Sequence, residues 1–201
     1  MAKKAARIIS TIFHPFLIPV LGFLALLNSN FYFSALSVDA KRFIFLVVFF
    51  TTAILPMLSV AVLALNPKFE ISMQRKRDRI IPLLSTAVFY YVGFLLLNRI
   101  RIFPIFKMFL IASVLVIVFL AIITLKWKIS THMASVGGLT GTVFALSFKT
   151  GINPLPIIIS VVLISGLVGS ARLLLNKHTL AQLVTGYGLG FLILYFVIYF
   201  I

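Results

Sequence analysis

The sequence predicts an all-α protein, a polytopic transmembrane helical bundle of about six to seven spans. Three observations carry this. Apolar stretches recur at the length a bilayer core demands, roughly 20 residues at ~1.5 Å each. Hydrophobic residues make up 62% of the 201 residues and charged residues 10%, with a mean hydropathy of +1.21. The charges gather in short connections between the apolar stretches. A soluble domain of this composition would lack the polar surface to cover its core.

Seven apolar segments follow in order, at approximately 9–28, 43–65, 80–98, 104–125, 132–148, 154–173 and 179–201. The first follows Lys3, Lys4 and Arg7 and has no small-residue cleavage site after it, so it reads as an uncleaved helix. His14-Pro15 and Pro19 are expected to break it into a re-entrant piece, and His14 reads as a helix-end feature. The second holds one proline and no charge, and the fourth and seventh are continuous apolar runs. The fifth is short and carries Gly137, Gly138 and Gly141, which predicts a helix packed inside the bundle, since small residues permit close backbone approach. No repeat or soluble module interrupts the pattern, so 1–201 reads as one membrane domain.

Composition also excludes functions. Cysteine is absent, which removes disulfides, thiolate nucleophiles and Cys-based metal sites. The carboxylates are Asp39, Glu70 and Asp78 alone. That is too few for an aspartate-rich Mg²⁺-diphosphate enzyme or a carboxylate proton relay. No metal-ligand cluster is visible, and neither metal nor cofactor is expected. The net charge of +15, in a chain with this many spans, points to membrane lipid headgroups rather than to nucleic acid.

Parity of the crossings places three polar connections, 66–79, 126–131 and 174–178, on the face that also holds the N-terminus. In the first, Arg75 and Arg79 are four apart and share a helix face. Two guanidiniums on one face make a good phosphate clamp, because each offers a planar fork of donors. Such a cluster also serves simply to set topology. In the second, Ser130 and Thr131 are natural N-cap residues, and the helix start they open favours an anion. His132 beside them suits proton donation near neutral pH. In the third, Arg172 ends one apolar segment and His178 opens the next. Both are costly near hydrocarbon unless paired or used. Gln182, four residues after His178, lies on its helix face within reach of an imidazole nitrogen.

These residues resemble the type 2 phosphatidic acid phosphatase family, the membrane relatives of vanadium haloperoxidases. Its motifs are K-x-x-x-x-x-x-R-P, P-S-G-H and S-R-x-x-x-x-x-H-x-x-x-D. The spacing Arg172, His178, Gln182 matches the third. Ser130-Thr131-His132 resembles the second, and Arg75 to Arg79 with Pro82 loosely resembles the first. The resemblance covers about 68–190. It implies that His178 is the nucleophile of a phosphohistidine intermediate and that His132 is the general acid. Arg172, with Arg75, Arg79 and Lys76, would bind the phosphate. The implied substrate is a lipid phosphate, such as phosphatidate, phosphatidylglycerophosphate or a polyprenyl diphosphate, hydrolysed without metal in a bacterial cytoplasmic membrane. Two apolar segments separate the first and second motifs, where the family has a same-side loop, and the motifs themselves also depart. Gln182 stands where the family has Asp, the second motif lacks its Pro and Gly, and the first lacks adjacent Arg-Pro. A binder or transporter of phosphorylated lipid using the same basic residues is the alternative. Of the basic residues, 12 fall on the motif-bearing face and 6 opposite. This count makes that face cytoplasmic by the positive-inside rule, whereas the resemblance implies an outward-facing site.

Overall fold

Prolines, caps and glycines divide this apolar chain into helices whose ends are fixed by local chemistry. The structure is a computed structural model and describes residues 1–29, 36–67, 69 and 77–201. Helix α1 (Ala2–Ile12) is strongly amphipathic, with Ala6 and Ser10 buried one turn apart. Pro15 disfavours the helical conformation at His14, and the chain turns through Phe13–Leu17. It restarts as α2 (Ile18–Leu27), which has Pro19 in its first turn. The first apolar segment is thus two short helices with a break at His14-Pro15.

Helix α3 (Val38–Phe49) is capped by Ser37, whose Oγ accepts from Ala40 N at 3.2 Å. A π-helical turn, Phe50–Ile54, joins it to α4 (Leu55–Leu63). The widening falls directly before Pro56, which has no N–H and whose ring would meet the carbonyl four residues back. Helices α5 (Arg77–Asn98) and α6 (Pro104–Lys126) form an antiparallel pair. Helix α7 (Thr131–Thr150) begins at the N-cap Ser130 and ends at Gly151, whose φ of 67° is the left-handed value that glycine tolerates. Helices α8 (Leu155–Leu174) and α9 (Leu180–Tyr199) complete the bundle.

Five helical stretches are long and apolar enough to cross a membrane: Val38–Leu63, Asp78–Asn98, Pro104–Lys126, Leu155–Leu174 and Leu180–Tyr199. Their outward faces carry large exposed side chains such as Leu58, Ile122, Leu163 and Val184. An apolar exterior of this kind suits hydrocarbon as solvent and suggests an integral membrane protein. Helix α7 is the interior one, buried along most of its length. It lies against α9 through two small-residue faces, Gly137 and Gly141 on α7 and Gly186 and Gly190 on α9. A Cβ on Gly190 would overlap the Ala134 carbonyl, and one on Gly137 would overlap the Tyr187 carbonyl. Glycine is required here so that the backbones can touch. Helix α1 packs on α8, and α2 against α3 and α7.

The connections 99–103, 127–130, 151–154 and 175–179 are short, so successive helices from α5 onward run antiparallel. The starts of α5, α7 and α9 therefore share one end of the bundle with the last turns of α6 and α8.

Candidate functional site

At that end the bundle encloses a cavity of about 630 Å³, within the ~300–1,000 Å³ range of ligand sites. Its lining divides by chemistry. Arg7, Ser10 and His14 from the N-terminal segment meet Arg79, Lys128, Thr131, His132, Arg172, Lys177 and His178. Deeper in, Leu83 and Tyr90 of α5, Phe109, Val116, Ile117 and Leu120 of α6, Leu139 of α7 and Leu194 of α9 make a mostly apolar body, in which Thr86 and Ser113 are the hydroxyl-bearing exceptions beside Tyr90. From Arg79 to Tyr90 the lining descends roughly 16 Å at ~1.5 Å per residue.

Each polar group is placed by local structure. Arg79 sits in the first turn of α5, is 6% exposed, and donates from Nη2 to the Ile129 carbonyl at 2.9 Å. Its Nη1 is buried without a partner among the described residues, as is Nε of Arg172. Both guanidiniums line the same cavity. No carboxylate lines the cavity among the described residues; Asp78 adjoins Arg79 in sequence but does not reach it. Buried donors of like charge without acceptors are unfavourable unless an anion completes them.

The capping chemistry of α9 sets the state of His178. Thr179 is the N-cap, and Gln182 returns its side chain to the cap in a reciprocal capping box. Thr179 N–H donates to Gln182 Oε1 at 3.2 Å, which identifies that atom as the amide oxygen. The same oxygen lies 3.1 Å from His178 Nδ1. An oxygen that only accepts requires Nδ1 to carry the proton. Nε2 of neutral His178 therefore carries the lone pair. Burial is the main force on this imidazole and lowers its pKa to about 4; the Gln182 bond opposes the shift, while Arg172, Arg79 and Lys128 add to it. At neutral pH His178 is an uncharged base with Nε2 unprotonated.

His132 is 8% exposed at the start of α7. Its Nε2 is 3.2 Å from the Ser10 carbonyl, to which it must donate. His14 packs against it edge to face, with ring centroids 5.5 Å apart.

Of the residues expected from sequence, Arg79, Thr131, His132, Arg172 and His178 line the one cavity, and Gln182 stands behind His178. Ser130 does not line it. Its hydroxyl is fully buried and caps α7 by accepting from Met133 N at 3.4 Å. Arg75 and Lys76 lie outside the described residues. Sequence reasoning passed over Arg7, Lys128 and Lys177, which also line the cavity, and took His14 as a helix-end feature alone. The His-Pro break in the first apolar run was the available pointer, because a polar ring at a helix break is exposed to whatever packs beside the turn. No family model, curated protein or solved structure matches the chain.

Proposed function

We propose that the chain is an integral membrane lipid phosphatase that hydrolyses a phosphate monoester or diphosphate of a lipid through a phosphohistidine, without a metal. The observation that carries this is the convergence of Arg79, His132, Arg172 and His178, with two guanidinium donors unpartnered among the described residues, on one cavity whose depth is mostly apolar. That shape suits an anionic head on a hydrocarbon tail.

In this reading Arg79 and Arg172 bind the non-bridging oxygens and neutralise charge as it redistributes in the transition state. The Nε2 lone pair of His178 attacks phosphorus, the N–P bond forms and the P–O bond to the lipid breaks. The departing oxygen takes a proton from His132, protonated beside the bound anion. His132 then accepts a proton from the water that cleaves the N–P bond and releases phosphate. Its Nε2–H stays on the Ser10 carbonyl, so the proton given and taken back is the one on Nδ1. Gln182 supplies the tautomer of His178 but not the negative charge with which a carboxylate would stabilise the developing imidazolium.

The reading includes a bacterial cytoplasmic membrane as location. It also counts α7 as a sixth crossing beside the five long apolar stretches, with the α1–α2 segment as a broken seventh that dips into the bilayer. Membrane lipids are the surroundings and the lipid phosphate is the partner.

The test is phosphate release from phosphatidate, phosphatidylglycerophosphate and a polyprenyl diphosphate in detergent with a chelator present. Wild type is expected to release phosphate from at least one of them, and His178→Ala to release none. Activity that survives His178→Ala refutes the assignment. Wild-type binding without release would favour a non-catalytic lipid-phosphate binder.

A further inference from the structure

We propose that His14, in the turn between α1 and α2, donates its Nε2–H to the phosphate group of the ligand, so that the N-terminal segment forms one wall of the anion site. The proposal rests on the lipid-phosphate reading above and adds a residue that reading does not use.

His14 lines the cavity beside His132. Phe16 N–H points at its Nδ1 over a long 3.4 Å contact. A proton on Nδ1 would oppose that N–H, so the neutral ring carries its proton on Nε2. No bond from this Nε2 to a described residue is present. A second observation points the same way. Ser10, one turn earlier and 7% exposed, lines the same cavity, and its Oγ is buried without a partner among the described residues.

The N-terminal segment thus acts twice. Its backbone, through the Ser10 carbonyl, holds Nε2–H of His132. Its side chains present two further donors, the Ser10 hydroxyl and His14 Nε2–H. A phosphate monoester has three terminal oxygens, more acceptor capacity than Arg79 Nη1 and Arg172 Nε fill, and charge-assisted bonds to it are the strong kind.

Two substitutions separate binding from turn formation. His14→Asn keeps an acceptor near the Nδ1 position for Phe16 N–H but has no donor where Nε2 was. His14→Gln does the reverse. Purified full-length protein in detergent is titrated with inorganic phosphate and, separately, with phosphatidate in phosphatidylcholine micelles, and thermal stabilisation is followed. Wild type is expected to be stabilised by both probes. His14→Asn is expected to need ~10- to 100-fold more of each, while His14→Gln stays close to wild type. A loss confined to phosphatidate supports the contact and marks the lipid headgroup, rather than free phosphate, as its source. The opposite order, with Asn binding normally and Gln impaired, assigns His14 to the turn and overturns the proposal, as does normal binding by both. Ser10→Ala removes only a hydroxyl and keeps the test open if His14→Asn does not fold: weaker binding of both probes supports the wall, and unchanged affinity counts against it. If neither probe stabilises wild type, the lipid-phosphate reading fails as well.

Discussion

Gln182 shows how one side chain couples local folding to chemistry. Its amide oxygen closes the cap of α9 and fixes the proton of His178 on Nδ1. Replacing it with Glu keeps the capping box and adds a charge beside the imidazole. An opposite charge favours the protonated ring, so the pKa of His178 rises from about 4. In the phosphatase reading proposed above the attacking ring must be neutral, so activity would be lost as pH falls through that pKa. Gln182→Glu is therefore expected to move the acid limb of the kcat/KM profile to higher pH and, above it, to raise kcat by stabilising the developing imidazolium. A pH–rate series on the two proteins checks both effects, and an unmoved acid limb argues that another group sets it. The same shift carries a stability cost. Unfolded His178 protonates near its ordinary value while the folded group resists, so the fold loses stability as pH drops from about 6.5 toward 4.

At the scale of the element, the contact between α7 and α9 decides whether the site assembles, because α7 carries His132 and α9 is capped beside His178. The glycines at that contact are spacing devices. Gly190→Ala drives a Cβ into the Ala134 carbonyl, whereas a Cβ on Gly188, on the same helix, meets open space. Gly190→Ala is expected to destabilise by ~1–3 kcal/mol through overpacking, and Gly188→Ala to leave stability unchanged or slightly raised. Thermal unfolding in detergent distinguishes them; equal effects would mean that the close approach is not what holds the pair. The elements were largely legible from sequence, because apolar length, proline and capping residues act locally. Helices α5 to α9 fall within a few residues of segments 80–98 to 179–201. The π turn before Pro56 was not legible, since a widened turn and a kink answer a missing N–H equally well.

For the molecule as a whole, the cavity joins a cationic rim to an apolar depth, and the ligand it suits has both parts. Ser113, on α6 among the deep lining residues, offers a test. Ser113→Leu narrows the depth without touching the rim. Hydrolysis of phosphatidate is expected to fall about tenfold, the scale on which apolar pockets discriminate, while a short soluble phosphate ester is cleaved as before. Equal losses on both substrates would deny the depth a role in holding the tail. Parity of the crossings was enough to put Arg79, His132, Arg172 and His178 at one end of the bundle. It was silent on His14, whose approach depends on where α1 and α2 settle against α8 and α7, a packing outcome that no local spacing encodes.

The capping box at the start of α9 also bears on biogenesis. Arg79, His132 and Arg172 are all synthesised before Gln182, yet His178 acquires its fixed proton only when the last helix has been laid down and seated. A nascent chain halted after α8 would hold the cations without an aligned imidazole, so on the phosphatase reading proposed above competence would arrive late and in a single step, coincident with insertion of the final segment.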